Sequence, residues 1–509
     1  MHIDKAEAPG LRAAPLQSAL AALARVPITR LAASRLLRIN YVSLARLLSL
    51  LLICFAIAGC DGNYLVWSSD GKLGAVIGQK GLRVCDGEGT ISKVLADKAG
   101  MFRWIPGPEH QGLYVGFDYA GRWADVKPLL TADQDKTIQD ESLKLKRKLY
   151  TYRGDPKKFA ENSLRTFSYP LEAAMHLHST ATPDIDKLAE KRWPPYQYIK
   201  VPIFYIKLVS VESNALTQIR TIDRGIDEIV EIKASPNGKF FACVKHEKAH
   251  ELNYIQIIPN VAFAKPVVVA YNTNAYPDWN ADSRSLYFTR ANNDSEADLL
   301  RGQPVHEGAI YKVEVADASG KLVPSLKPQR LARVVFDNRA PVRALKDGRV
   351  LFLSREVRIP SAINSNLSSA LFYLDGNRSD VLLRRNDDIA YFEPSPEQDQ
   401  IAVTTSGGAL LVCKSNGSDI FELCNAKDLR LSGLLPQWKT NQELSFGTEQ
   451  VAAKGSKSNY SISLWSKGAG VKDLSKAWGK DAASEIIVHR DLFQEAMTGV
   501  MEEIDRKTK

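Results

Sequence analysis

The stretch YPDWNADSRSLYFTRAN, residues 276–292, decides the fold. It holds an aromatic anchor (Trp279), a polar turn (NADSR) and an alternating apolar strand (SLYFTR). Behind it come AIYKVEVADASGK (309–321), a second strand closed by an Asp/Gly turn, and QRLARVVF (329–336), a short outer strand. The plan returns near the other end as LVWSSDGKLGAVIG (65–78), GLRVCDGEG (81–89) and ISKVLA (91–96). Asp-Gly and Asn-Gly reach positive φ at low cost, which suits a tight turn between antiparallel strands, and alternation turns one face of each strand toward a neighbour.

Working outward, the same unit recurs with anchors at Trp67, Trp104, Ala234, Trp279, Ala344, Glu393 and Trp438. The turns are SSDGK, PGPEHQ, SPNGK, NADSR, LKDGR, SPEQDQ and KTNQE, and the strands after them include GAVIG, GLYVGF, FFACVKH, VLFLSR, IAVTTS and LSFGT. The last five anchors are 45, 65, 49 and 45 residues apart. Four short strands per unit at that period make one blade, so the expected fold is an all-β propeller of seven four-stranded blades. The segments SSDGK, SPNGK and PDWNADSRSLYF resemble the TolB-like, WD-repeat-like propeller family over roughly residues 62–478. The WD dipeptide and GH signature of true WD repeats are absent. If the ring closes through a shared blade, the strand after Asn63 and the segment Lys472–Trp478 are the two expected to meet, which would remove exposed edges.

Two segments fall outside the repeat. Residues 126–198 interrupt one blade with a charged insertion, expected to be partly helical from Ile138, Leu143, Leu145 and Leu149. Its cations Lys144, Lys146, Arg147, Lys148, Arg153, Lys157 and Lys158 interleave with Asp140, Glu141, Asp155 and Glu161, which reads as a solvated face. Loops of that length inside a domain are usually functional or disordered. From Ser484 to Asp505, Ile486, His489, Phe493, Met497, Val500 and Ile504 make one apolar stripe, predicting a C-terminal helix within 481–509.

Ahead of the repeats, LSLLLICFAIAGCD (48–61) resembles the lipobox of bacterial lipoproteins, with Ile57, Ala58, Gly59 and Cys60, followed by Asp61. Arg38 and Arg46 supply a positive flank, and the apolar run is too short for a membrane-spanning helix. That resemblance implies a signal peptide within residues 1–59, cleavage before Cys60, a diacylglycerol on its thiol, and fatty acylation such as palmitate. It also implies that Asp61 is an inner-membrane retention signal, placing the protein on the periplasmic face of that membrane, or on the outer membrane where Asp61 is not so read. The plainer alternative is a cleaved signal peptide in which Cys60 is incidental. Residues 1–37 are Ala/Leu-rich with Arg12, Arg25, Arg30 and Arg35 against Asp4 and Glu7, a pattern that an organelle transit peptide also shows, and are expected to precede a translation start near Val42 or Leu44.

Charge follows from that boundary. The chain carries 67 Lys/Arg against 58 Asp/Glu, net +9; residues 1–59 hold seven of the former and two of the latter, leaving 60 against 56, net +4. The apparent basicity is largely leader, and a nucleic-acid partner loses its main support. Beyond Cys54 and Cys60 the cysteines are Cys85, Cys243, Cys413 and Cys424. Their spacing is not that of a zinc site. Cys413 and Cys424 could pair as a disulfide in an oxidising compartment, with buried free thiols as the alternative. His176 and His178, at i, i+2, and His246 and His250, at i, i+4, read as loop histidines rather than metal pairs. No G-x-S-x-G, H-E-x-x-H, P-loop or dinucleotide fingerprint is present, so no catalytic residue, metal or cofactor is expected. Two functions follow: a non-catalytic interaction platform for an envelope protein or glycan, and, as the alternative, a lyase or hydrolase on glycan or peptide using the central channel.

Overall fold

The computed structural model describes residues 65–478, apart from 79, 121–122, 133, 137–200, 248–251, 275, 292–305, 337–340, 356–368, 425–428, 432–434 and 451–458. All of these described residues fall in one compact unit, Cys60–Gln494. The lipobox residues Ile57, Ala58, Gly59 and Cys60, the following Asp61, and the stripe 484–505 lie outside them, as do His176, His178 and His250.

Seven antiparallel sheets follow one another along the chain. The first holds β1 (Leu65–Trp67), β2 (Leu73–Gly78) and β3 (Gly81–Asp86). Its outer edge is completed by bridges from Ile91 to Cys85 and from Ala96 to Leu82. The second holds β4 (Ala99–Trp104), β5 (Gln111–Ala120), β6 (Val201–Glu212) and β7 (Ala215–Gly225). The third holds β8 (Glu228–Ala234), β9 (Phe240–Glu247), β10 (Leu252–Pro259) and β11 (Val267–Tyr271). The fourth holds β12 (Asp278–Trp279), β13 (Ser285–Ala291), β14 (His306–Glu314) and β15 (Gln329–Phe336).

The fifth holds β16 (Val342–Ala344), β17 (Val350–Arg355), β18 (Ser369–Asp375) and β19 (Arg378–Leu383). The sixth holds β20 (Ile389–Pro394), β21 (Gln400–Thr405), β22 (Leu410–Lys414) and β23 (Phe421–Cys424). In the seventh, β24 (Leu429–Leu431) and β25 (Gln437–Thr440) both pair the inner edge of β26 (Glu443–Gln450), followed by β27 (Asn459–Ser466) and β28 (Gly470–Asp473). Helix is confined, among the described residues, to short turns such as α1 (Trp123–Val126) and α2 (Ser475–Trp478). No described helix is long and apolar enough to cross a membrane.

The first strands of the sheets touch in ring order: β1 with β4, β4 with β8, β8 with β12, β12 with β16, β20 with β25, and β25 back to β1. The molecule is a seven-bladed β-propeller, as the repeat predicts. Its core is a set of seams rather than one centre. Phe102, Tyr114 and Val209 join Val66, Ala75 and Val84 between blades one and two, and Phe240 and Ile255 meet Trp279 and Phe288 between three and four. Each buried strand face is held by the next blade, so a blade cannot bury its apolar surface alone.

The turn chemistry explains the repeated phrase. Asp70 Oδ1 accepts the Lys72 amide at 3.1 Å and the Ser68 hydroxyl at 2.7 Å, and Ser68 Oγ accepts the Leu73 amide at 3.1 Å. Ser235 and Asn237 repeat this on Phe240 and Lys239, at 3.0 Å each. Gly71, at φ +69°, takes a conformation open to glycine, and a Cβ there would sit 2.6 Å from the Lys439 carbonyl of blade seven.

Among the described residues β1 pairs only β2 and β28 pairs only β27, so the described strands of the first and last blades share no sheet. Side chains seal the seam: Leu65, Trp67, Val76 and Cys85 pack on Ile462, Leu464, Leu474 and Trp478. The Trp67 indole N–H donates to Ser445 Oγ at 2.9 Å.

The Cys413–Cys424 disulfide is not formed; both thiols are free and buried. Cys424 lies opposite Leu410, three residues along β22 from Cys413, about 10 Å by strand rise. Alternation then sends Cys413 into the cluster shared with blade five and Cys424 into the one shared with blade seven. Two thiols on opposite faces of one sheet cannot be bridged.

Candidate functional site

Register places the charges that matter. Trp67, Trp104, Ala234, Trp279, Ala344 and Trp438 stand opposite Gly74, Gly112, Phe241, Leu286, Val350 and Leu444. In blade six the equivalent pair is Pro394 and Ile401, so the anchor read at Glu393 moves on by one residue. The residue just before each anchor is therefore Val66, Arg103, Lys233, Asp278, Arg343, Glu393 and Gln437. Five of the seven are charged, and they sit on the inner strands that form the ring.

Those charges are spent between blades. The Arg103 guanidinium grips Glu231 with Nε to Oε1 at 2.9 Å and Nη2 to Oε2 at 2.7 Å. Lys233 Nζ lies 2.5 Å from Asp278 Oδ1, and Asp278 Oδ2 accepts the Ala344 amide at 2.9 Å. Arg343 donates twice to Glu393 Oε2, at 3.0 and 2.7 Å, and the Tyr391 hydroxyl donates to the same oxygen at 2.6 Å. Burial alone would push the Glu393 carboxyl up, but the charges of Arg343 and Lys233 hold it below the usual range. Burial opposes the charge on both arginines, and Glu231 and Glu393 outweigh it and raise them. The belt lies on the inner strands, which touch one another around the ring.

The anchors add a second tie in the opposite sense. Trp104, Trp279 and Trp438 donate their indole N–H to the carbonyls of Val66, Lys233 and Glu393 in the preceding blade, at 2.8, 3.0 and 2.9 Å. β4 and β12 thus reach forward by a charged side chain and back by an indole.

The two faces of the ring differ. Every adjacent strand pair is antiparallel, so the first-to-second and third-to-fourth strand turns share one face, and the second-to-third connections share the other. The first face carries mostly tight turns, with one longer connection, 315–328, in blade four. The second carries the long connections, 121–200 in blade two, 292–305 in blade four and 356–368 in blade five; we call it the loop-bearing face.

A buried polar group lies at that face between blades two and three. Lys245 pairs Asp223 at 2.7 Å, and Gln256 donates to the same carboxylate at 2.9 Å. Tyr254 donates to Asp227 Oδ2 at 2.8 Å, and Gln134 reaches both Asp227 oxygens at 3.2 Å. Gln134 opens the blade-two insertion; Thr131 and Gln134 cap one another's amides, at 2.9 and 3.2 Å. Burial pushes the Asp227 carboxyl up against these donors, and pushes Glu228 up to about 7 against the charge of His246. His246 stands opposite Glu228 in β9, and its Nδ1 meets Asn253 Oδ1 at 3.0 Å. Because β9 is a strand, His246 is not half of a helical i, i+4 metal pair. No group of three or more His, Cys, Asp or Glu among the described residues could hold a metal ion.

Of the belt only Glu393 was singled out from sequence, and as a blade anchor rather than a charge; the Asp227–Glu228 pair was not. The signal available was a charged residue just before the anchor in an otherwise apolar strand.

Fold and site thus define a seven-bladed propeller with an ion-paired channel wall. Among solved structures the chain is similar to TolB from Acinetobacter baumannii, at 16% identity and a TM-score of 0.35, covering 52% of this chain and 57% of that one. It is also similar to the β-propeller domain of the Trilobed protease from Pyrococcus furiosus, at 12% and 0.36, covering 54% and 74%. Hydrazine synthase from Kuenenia stuttgartiensis gives 11% and 0.37 over 70% and 77%. The chain spans little more than half of the TolB chain, and the fold stands on the sheet order itself rather than on these likenesses. No protein-family model matches the chain, and no curated protein matches it.

Proposed function

We propose that the chain is a lipid-anchored envelope β-propeller serving as a non-catalytic platform for a protein or glycan partner. The anchor is Cys60, whose thiol takes a diacylglycerol after cleavage behind Ile57, Ala58 and Gly59. Two or three acyl chains hold a protein on a membrane stably where one does not. Asp61 would keep it on the periplasmic face of the inner membrane, and without that signal it would reside on the outer membrane.

The observation that carries the non-catalytic reading is the paired channel wall. A carboxylate gripped by an arginine and held below its usual range, as Glu393 is, is poorly placed to trade protons near neutral pH. One observation favours the enzyme reading instead: Glu228, pushed up to about 7, has the affinity that a general acid or base needs.

The test is a crosslinked pull-down of the mature lipoprotein from membranes, compared with Cys60→Ala. One envelope protein or glycan enriched with the anchored form supports the platform. No capture, together with a glycan- or peptide-cleaving activity abolished by Glu228→Gln, would replace it with the enzyme.

A further inference from the structure

We propose that the loop-bearing face of the propeller lies against the lipid bilayer, leaving the tight-turn face as the one that a soluble partner reaches. This rests on the lipid anchor at Cys60 and adds to it the orientation of the ring.

The argument is one of chain length. β1 is the innermost strand of blade one, and its first residue, Leu65, lies opposite Val76. Val76 is two residues short of the β2–β3 turn, where Gly78 faces Gly81 on the loop-bearing face. The chain therefore enters β1 from that face, beside the channel. From Cys60 to Leu65 there are five residue steps, about 17 Å when fully extended. Reaching the level of Gly78 uses about 7 Å of that at strand rise, leaving about 10 Å between the face and the lipidated residue.

The opposite orientation does not fit this tether. The six residues of β2 span the ring from the loop-bearing face toward the tight turns, about 20 Å. A tether passing around the blades would first climb about 7 Å to the loop-bearing face and then descend that whole thickness outside the ring, which about 17 Å cannot do. Straight down the axis about 13 Å would remain, but that path is filled by the paired, buried side chains of Arg103, Arg343 and Glu393. Because the tether leaves beside the axis rather than from the rim, it holds the ring near its centre.

The consequence for binding is specific. The tight-turn face points away from lipid, and there the β10–β11 turn exposes Val261 and Phe263, the latter wholly solvent-exposed with φ +61°. The channel mouth on the loop-bearing face is the one that the bilayer covers.

Blade six supplies matched reporters, Ser406 in the β21–β22 turn of the loop-bearing face and Glu397 in the β20–β21 turn of the other, both exposed. The described native thiols Cys85, Cys243, Cys413 and Cys424 are buried, so a cysteine at either turn labels selectively. Full-length Ser406→Cys and Glu397→Cys lipoproteins are labelled with a fluorophore. They are then reconstituted in phosphatidylcholine–phosphatidylglycerol vesicles containing a headgroup nitroxide lipid. Mass spectrometry of the N-terminal peptide first establishes whether Cys60 carries diacylglycerol.

With the lipid present, quenching at 406 should exceed that at 397 at least threefold. Equal or reversed quenching on a lipidated chain overturns the orientation and leaves the anchor standing. An unmodified Cys60 overturns both. Quenching at 406 that disappears when the lipoprotein is reconstituted with its captured partner would show a protein, not lipid, covering that face in the complex, and would also overturn the assignment.

Discussion

Replacing Arg343 by methionine tests whether the channel belt holds the ring together. Arg343 is almost fully buried, donates twice to Glu393, and its Nη2 also meets the Tyr391 hydroxyl at 3.2 Å. Methionine keeps much of the volume but takes from Glu393 the cation bonded to it, leaving the more weakly acting Lys233 and a tyrosine that donates to the same oxygen. Losing one partner of a buried pair costs about 3–5 kcal/mol, because the remaining charge is uncompensated. Replacing both, as Arg343→Met with Glu393→Leu, removes the stranded charge, so the double variant should recover to within about 2 kcal/mol of wild type. Urea unfolding followed by tryptophan fluorescence measures all four corners of the cycle. The pH dependence gives a second reading. Glu393 is held below its usual 4.5, so its stabilisation is present above pH 4.5 and is lost as pH falls through the lower folded value. In Arg343→Met burial raises the Glu393 carboxyl again, so that acid-side loss should shrink or reverse. A single variant costing under about 1 kcal/mol, or a double variant equal to the sum of the singles, would refute the reasoning.

Further outcomes follow from other contacts. Trp279→Phe and Trp438→Phe each delete one indole bond to the preceding blade and should cost about 1 kcal/mol more than the volume change, read as a shift in urea midpoint. Gly71→Ala meets both a positive φ and the Lys439 carbonyl, whereas Gly348, at φ +91°, has open space, so Gly71→Ala should lower the melting temperature more than Gly348→Ala. Glu228 titrates near 7 when folded against 4.5 unfolded, so its contribution is full below pH 4.5 and is lost as pH rises to about 7. Glu228→Gln should therefore gain stability relative to wild type at pH 8, by roughly 2–3 kcal/mol, and not at pH 4. Titration of denatured, non-reduced protein with a thiol reagent should count Cys413 and Cys424 among the reactive groups; their absence would reinstate the disulfide.

Much of the architecture was legible because a propeller repeats one local rule. Trp67, Trp104, Ala234, Trp279 and Ala344 end inner strands, and Trp438 lies within one, just ahead of the turns SSDGK to KTNQE; in SSDGK and SPNGK a serine and an Asp or Asn satisfy the turn's own amides within a few residues. The anchor in blade six was displaced by one because Pro394 carries no aromatic or small-residue mark. Cys413 and Cys424 looked adjacent because sequence places them on neighbouring strands; which face each turns to depends on register, which the bulge between Leu410 and Leu411 sets.

The sequence by itself determined the all-β class and the number and order of blades. These depend on period-two alternation and turn residues, which act over a few positions along the chain. It also carries the lipobox pattern that predicts the anchor. Only the tertiary structure decided how the ring closes, which charges meet and which acids are buried. Trp67 meets Ser445, Arg103 meets Glu231 and Arg343 meets Glu393 across gaps of 378, 128 and 50 residues. Those pairings come from the seating of one blade on the next, a geometry that no local pattern encodes.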